Sequence, residues 1–170
     1  MKVLGVDPGT MATGYGVVES TGIRAFQLVE CGVIRPDRGA PLAERLRQVH
    51  EDLTALLTRH RPEVLAVEEA FLAVNVRTTL VLGQARGVIL LAGAQAGVAL
   101  AEYSPAEIKK AVTGRGQALK PQVGFMVAQL LRLTRAPTPA DAADGCAVAL
   151  THLLRTPRPV ARVAALSPRR

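Results

Sequence analysis

Short apolar runs alternate with stretches of helical periodicity along this chain. Val3 to Asp7 is small, branched and apolar until its final acid, which predicts a buried strand. Pro8-Gly9-Thr10 reads as a turn. Gly14 to Glu19 and Phe26 to Arg35 predict two more strands, with Ser20-Thr21-Gly22 as the turn between them. Three strands joined by short turns imply an antiparallel meander.

The period then changes. Leu42, Leu46, Val49, Leu53, Leu56 and Leu57 recur at helical spacing and predict an amphipathic helix from Pro41 to His60, stopped by Pro62. Val64 to Glu68 is a second continuous apolar run, the pattern of a strand covered on both faces. A long helix over 75–96 follows, rich in Gly and Ala. Glycine in a helix costs about 1 kcal/mol against alanine. Gly83, Gly87 and Gly93 therefore need a packing reason, either close contact with the sheet or a partner helix across a dimer interface. Val98 to Ala101 predicts a fifth strand. Ser104-Pro105-Ala106-Glu107 is a capping box that opens a short helix, ended by Gly114-Arg115-Gly116. Two more helices are expected, Pro121 to Leu133 and Ala140 to Leu154. The order implies an α/β fold: a mixed sheet with helices on its faces.

Length and composition narrow the class. At 170 residues, one domain is expected, over residues 1–155. The segment 156–170, with its prolines and arginines, is expected to be a flexible basic arm. Aromatics are only 3% and Trp is absent, so the core must be aliphatic. The net charge of +7 points to a polyanionic partner, most simply nucleic acid. Cys31 and Cys146 are far apart with no metal-type spacing, which argues against a disulfide framework or a zinc site and fits a reducing cytosol. No signal peptide or membrane span is evident, so a soluble, cytoplasmic protein is expected.

Against this basic background, a few acids stand where acids are expensive. Asp7 and Glu68 each end an apolar strand, and Asp141 and Asp144 open an apolar helix. A charge at the edge of a core costs several kcal/mol unless paired. No basic residue lies near enough in sequence to pair with all four, and a divalent cation held by oxygen ligands is the simplest shared partner. Glu69 and Glu102 compete for the same role. Only one of Glu68 and Glu69 can point toward Asp7, and the apolar run does not decide which. Asp141 has a second reading as the N3 residue of a capping box begun by Thr138. That reading does not explain Asp144, one helical turn deeper. Three or four carboxylates around Mg²⁺ suit two-metal phosphodiester hydrolysis.

Four stretches carry a family resemblance: Gly5-Val6-Asp7-Pro8-Gly9-Thr10 with Thr13-Gly14-Tyr15-Gly16-Val17; Val67-Glu68-Glu69-Ala70-Phe71; Leu82-Gly83-Gln84-Ala85-Arg86-Gly87; and Ala140-Asp141-Ala142-Ala143-Asp144. In order and spacing, from Val3 to about His152, the chain resembles the RuvC family of Holliday junction resolvases. The resemblance implies a ribonuclease H-like fold, with a five-stranded mixed sheet of three antiparallel and two parallel strands. It implies a homodimer that cuts four-way DNA junctions symmetrically in recombination and repair, leaving 5′-phosphate and 3′-hydroxyl ends. It implies Asp7, Glu68, Asp141 and Asp144 as catalytic ligands of two Mg²⁺ ions per subunit, with Mn²⁺ as a substitute. It sets Glu69 and Glu102 aside. It implies DNA contacts by Phe71, Lys109 and Lys120, a dimer built on the long glycine-containing helix, and the branch-migration complex of RuvA and RuvB as partner. Val74 and Arg77 depart from positions where relatives carry Lys and an acid. Gly145 also departs, and is expected to weaken its helix slightly.

The segment Asp7-Pro8-Gly9-Thr10 is also similar to the first phosphate loop of the actin, hexokinase and acetate-kinase superfamily. Those proteins place a nucleotide between two such domains, and this chain has room for one.

Overall fold

The computed structural model describes residues 1–9, 11–69 and 75–156. Phe71, Val74 and the basic arm from residue 157 onward lie outside the described residues. The elements are β1 (Lys2–Asp7), β2 (Thr13–Gly22), β3 (Ala25–Ile34), α1 (Leu42–His60), β4 (Val64–Glu68), α2 (Val76–Gln95), β5 (Ala99–Tyr103), α3 (Pro105–Thr113), α4 (Lys120–Leu130) and α5 (Ala140–Arg155).

The sheet runs β3-β2-β1-β4-β5. β1, β2 and β3 form the expected antiparallel meander, whereas β4 and β5 join parallel to β1. Alternation along the strands divides the core. Val3, Val18, Val64 and Ala66 pack under α3, α4 and α5. Leu4, Val6, Val17, Leu65 and Val67 pack under α1 and α2.

Several boundaries move for physical reasons. β2 continues through Ser20-Thr21-Gly22, because Gly22 still pairs with Ala25 and both hydroxyls reach the Ala25 carbonyl. The turn falls instead on Ile23-Arg24, where Arg24 takes a left-handed φ of 51°. β5 extends two residues beyond Ala101. Glu102 is tolerated there because Arg86 of α2 pairs with it. α4 stops at Leu130, short of Leu133. Arg132 turns left-handed at φ 56°, and Leu131 is buried beyond the helix end. The Ser104 capping box forms as expected, with Glu107 accepting the Ser104 N–H at 2.9 Å. The capping box assigned to Thr138 does not form. The cap position of α5 is Pro139, which has no side chain to donate or accept, so Asp141 is free of a capping role.

Gly145 is the clearest correction. A Cβ there would lie 2.5 Å from the Tyr15 backbone of β2. The residue expected to weaken α5 is the one that lets the helix lie directly on the sheet. Gly14 answers it from the strand side, where a Cβ would lie 1.9 Å from the Asp141 carbonyl oxygen. This close approach lowers the first two turns of α5, with their two aspartates, onto the ends of β1 and β4. The glycines of α2 divide. A Cβ on Gly93 would meet Leu65 and Leu100 at 2.7 Å, which is contact with the sheet. Gly83 and Gly87 have open space at that position, so sheet packing does not account for them.

Candidate active site

Strand register brings the first two carboxylates together. β1 and β4 are parallel, with Val3 opposite Val64 and Gly5 opposite Ala66. Two residues further, on the same face, stand Asp7 and Glu68. Glu69 has the opposite parity and is exposed, with its N–H bonded to the Tyr103 carbonyl. Pairing with Arg86 occupies Glu102. The choice among three glutamates, open on sequence patterning, is thus made by the register.

Asp7 and Glu68 lie within hydrogen-bonding reach of each other. Burial, then the negative charge of Asp144, pushes Asp7 up to about 6. Burial, then the charge of Asp7, pushes Glu68 up to about 8. Burial and mutual repulsion thus disfavour ionisation of both carboxyls together, and the two titrate as a pair above the ordinary carboxylate range.

Asp7, Glu68 and Asp144 line one cavity of about 260 Å³, together with Lys109 and Lys120. Ile108, Val123 and Ala147 supply its apolar wall. Lys120 donates to Asp144 Oδ2 at 2.8 Å. That bond, against a smaller opposing effect of burial, holds the Lys120 ammonium above its ordinary range. Lys120 heads α4, and its neighbour Leu119 is tied at the cap by an N–H donated to Gln122 Oε1 at 2.9 Å. Lys109 projects from α3. Asp141 is outside the cavity wall. It stands one turn before Asp144 on α5, and its charge raises both Asp7 and Lys120.

The donor set fits a hard divalent cation. Its groups are carboxylate oxygens, two of them protonated more readily than usual because of burial and of each other's negative charge or that of Asp144. The Lys120 ammonium already occupies a cation's place against Asp144. Among the described residues, no three acidic, histidine or cysteine side chains are drawn into a finished cage. The carboxylates are gathered but not closed around a single point. Sequence reasoning did not find the Lys120–Asp144 pair, since twenty-four positions separate the two and only the packing of α4 on α5 joins them.

Comparison with known proteins matches the chain to a family. A family model described as Crossover junction endodeoxyribonuclease RuvC matches residues 3–152. A crossover junction endodeoxyribonuclease RuvC of Pelotomaculum thermopropionicum is 53% identical over 152 residues, covering 89% of this chain and 92% of that one. The solved Thermus thermophilus RuvC has a TM-score of 0.83 at 38% identity, covering 91% of this chain and 94% of that one. The T. thermophilus RuvC in complex with Holliday junction substrate gives a TM-score of 0.86 at 38% identity, covering 91% of this chain and 93% of that one. The five-stranded mixed sheet flanked by helices is the ribonuclease H-like fold of these structures, and the chain belongs to the RuvC family of crossover junction endodeoxyribonucleases.

Proposed function

We propose that this protein is a structure-specific endonuclease that resolves four-way DNA junctions. It hydrolyses two strands of like polarity at symmetric positions and leaves 5′-phosphate and 3′-hydroxyl ends. The observation that carries the reading is the cavity in which Asp7, Glu68 and Asp144 face Lys109 and Lys120. Buried paired acids whose charge is only partly offset, beside lysines that can meet a phosphate, suit metal-assisted phosphodiester hydrolysis.

In this reading Asp7, Glu68, Asp141 and Asp144 hold two Mg²⁺ ions, which Mn²⁺ can replace. When bound, such ions lower the pKa of a water nucleophile and neutralise charge on the leaving oxygen. Asp7 and Glu68 would serve that role as carboxylates. Lys120 exchanges its bond to Asp144 for the scissile phosphate and offsets developing charge there. Lys109, on the opposite wall, holds the strand by a second phosphate. Phe71 is assigned to the bases at the crossover. Counterion release drives junction binding, so affinity falls steeply with salt.

Symmetric cutting calls for two copies. The face of α2 offers a surface for the second: Val76, Leu80, Gly83, Gly87 and Leu91 recur at helical spacing, and the three larger side chains are exposed. Burying such a stripe against its own copy explains the glycines that the sheet does not use. The branch-migration complex of RuvA and RuvB is the further partner assigned, and the cytoplasm its setting. Among the described residues, no helix is long and apolar enough to cross a membrane.

A synthetic four-way junction labelled on each strand tests the reading. With MgCl₂, paired nicks are expected at symmetric positions in two opposed strands, sealable by DNA ligase. EDTA abolishes them, and linear duplex of the same sequence stays intact. Cutting of the linear duplex at an equal rate would overturn the assignment. For the dimer, sedimentation should give twice the 18.0 kDa chain mass. Leu80→Glu should shift it toward the monomer.

A further inference from the structure

The two cysteines take no part in the site described above, and the fold brings them together. Cys31 lies in β3 directly opposite Gly16 of β2. Cross-strand partners carry their side-chain positions on one face of the sheet, about 5 Å apart. Gly16 leaves its position empty, and α5 fills it. The Cys146 sulfur lies 2.6 Å, and its Cα 2.7 Å, from where a Gly16 Cβ would stand. Cys146 is thus lodged beside the Cys31 side chain, close enough for the two thiols to affect each other's ionisation. Cys146 is buried, whereas Cys31 is partly exposed and within reach of a small oxidant. Proximity to Cys146, against a smaller opposing effect of burial, lowers the Cys31 thiol from its ordinary range, which favours Cys31 as the attacking sulfur.

We propose that Cys31 and Cys146 form a redox pair whose reversible disulfide clips α5, the helix carrying Asp141 and Asp144, to β3. The chemistry needs a disulfide oxidant, and oxidised glutathione is the simplest. The Cys31 thiolate attacks one of its sulfurs and expels the first glutathione thiolate. Cys146 then loses its proton to solvent and attacks the Cys31 sulfur of the mixed disulfide, which expels the second. Two protein thiols are oxidised, and one glutathione disulfide is reduced to two thiols. A dithiol reductant reverses both steps.

The clip closes a loop of roughly a hundred residues, which restricts the unfolded chain strongly. The thermal midpoint of the metal-free protein should rise by about 5–10 °C on oxidation and fall back after dithiothreitol. This inference is independent of the DNA the protein cuts. The test treats the full chain with oxidised glutathione, blocks remaining thiols and measures the intact mass. Loss of two hydrogens, a proteolytic peptide joining Cys31 to Cys146, and monomer mobility without reductant are expected. Two alkylatable thiols, a glutathione adduct persisting on Cys31, or a bond between two chains would each overturn the proposal. Cys31→Ser should show neither the lost hydrogens nor the higher midpoint. An equal rise in that variant would show that the clip is not the cause.

Discussion

Glu30 and the Asp7–Glu68 pair are carboxylates of the same sheet, placed in opposite electrostatic circumstances. Glu30, in β3, is answered by the chain itself. It accepts from Tyr15 Oη at 2.8 Å, from Arg59 at 2.6 Å and from His60 Nε2 at 2.9 Å. Burial would raise its pKa, but the bonds from Tyr15 and His60 and the charge of Arg59 outweigh this and hold it below the ordinary range. Even the strand leaves room for the arrangement: a Cβ on Gly32 would lie 2.7 Å from the Tyr15 hydroxyl. Among the described residues, Asp7 and Glu68 accept no such bonds from a cation: Lys120, whose charge reaches both, is bonded to Asp144 and offsets only part of the effect of burial. Each is the other's close neighbour, and both titrate upward. A structural carboxylate carries its counter-charge in the sequence, whereas a working one waits for it. The contrast separates sites built for stability from sites built for a ligand.

The largest effects should come from spoiling the acids that line the cavity. Glu68→Gln and Asp144→Asn should each lower junction cleavage by at least about a hundredfold, the scale of losing one transition-state-stabilising group. Gel-based cleavage rates at saturating enzyme would read this. Glu30→Gln should leave the rate per folded molecule unchanged.

Next in size is the pH dependence of stability. In the metal-free native state the Asp7–Glu68 pair holds protons that the unfolded chain has already released above pH 4. Stability is therefore fully supported below about pH 4 and falls as pH rises through about 6 and about 8. The loss should reach at least about 3 kcal/mol by pH 8.5, read from urea unfolding at several pH values. Asp7→Asn should flatten that decline. MgCl₂ should recover stability for the wild type at pH 8.5 and little for Asp7→Asn. A wild-type profile that rises between pH 5 and 8.5 without metal would break the contrast.

Smaller again is the cost of removing the answered acid. Glu30→Ala leaves the Tyr15 hydroxyl and His60 without their acceptor. It should cost about 1–2 kcal/mol in chemical unfolding with no change in the metal dependence of cleavage.

Much of this architecture is legible in the residues. β1 and β4 announce themselves as apolar runs ending in acids, and α1 shows an unbroken leucine period. The Ser104 cap is written in four residues. What stayed hidden depends on contacts between distant segments. No local pattern distinguishes Glu68 from Glu69, because alternation fixes only their difference. The parallel register with β1 decides the choice. Thr138 and Asp141 have the spacing of a capping box, yet the cap falls one residue later, on Pro139, and the helix begins at Ala140. Gly145 looks unfavourable in a helix read alone and is required once α5 is set against Tyr15. The Lys120–Asp144 pair and the Cys31–Cys146 contact likewise exist only through the packing of α5 against α4 and β3.

The most direct test of the central claim is Asp7→Asn assayed for binding and cutting on the same four-way junction. The account predicts that the variant retards the junction in a gel at wild-type protein concentrations, with cleavage in MgCl₂ reduced at least about a hundredfold. Cleavage at the wild-type rate would contradict the assignment of the acids that line the cavity as the metal-holding centre.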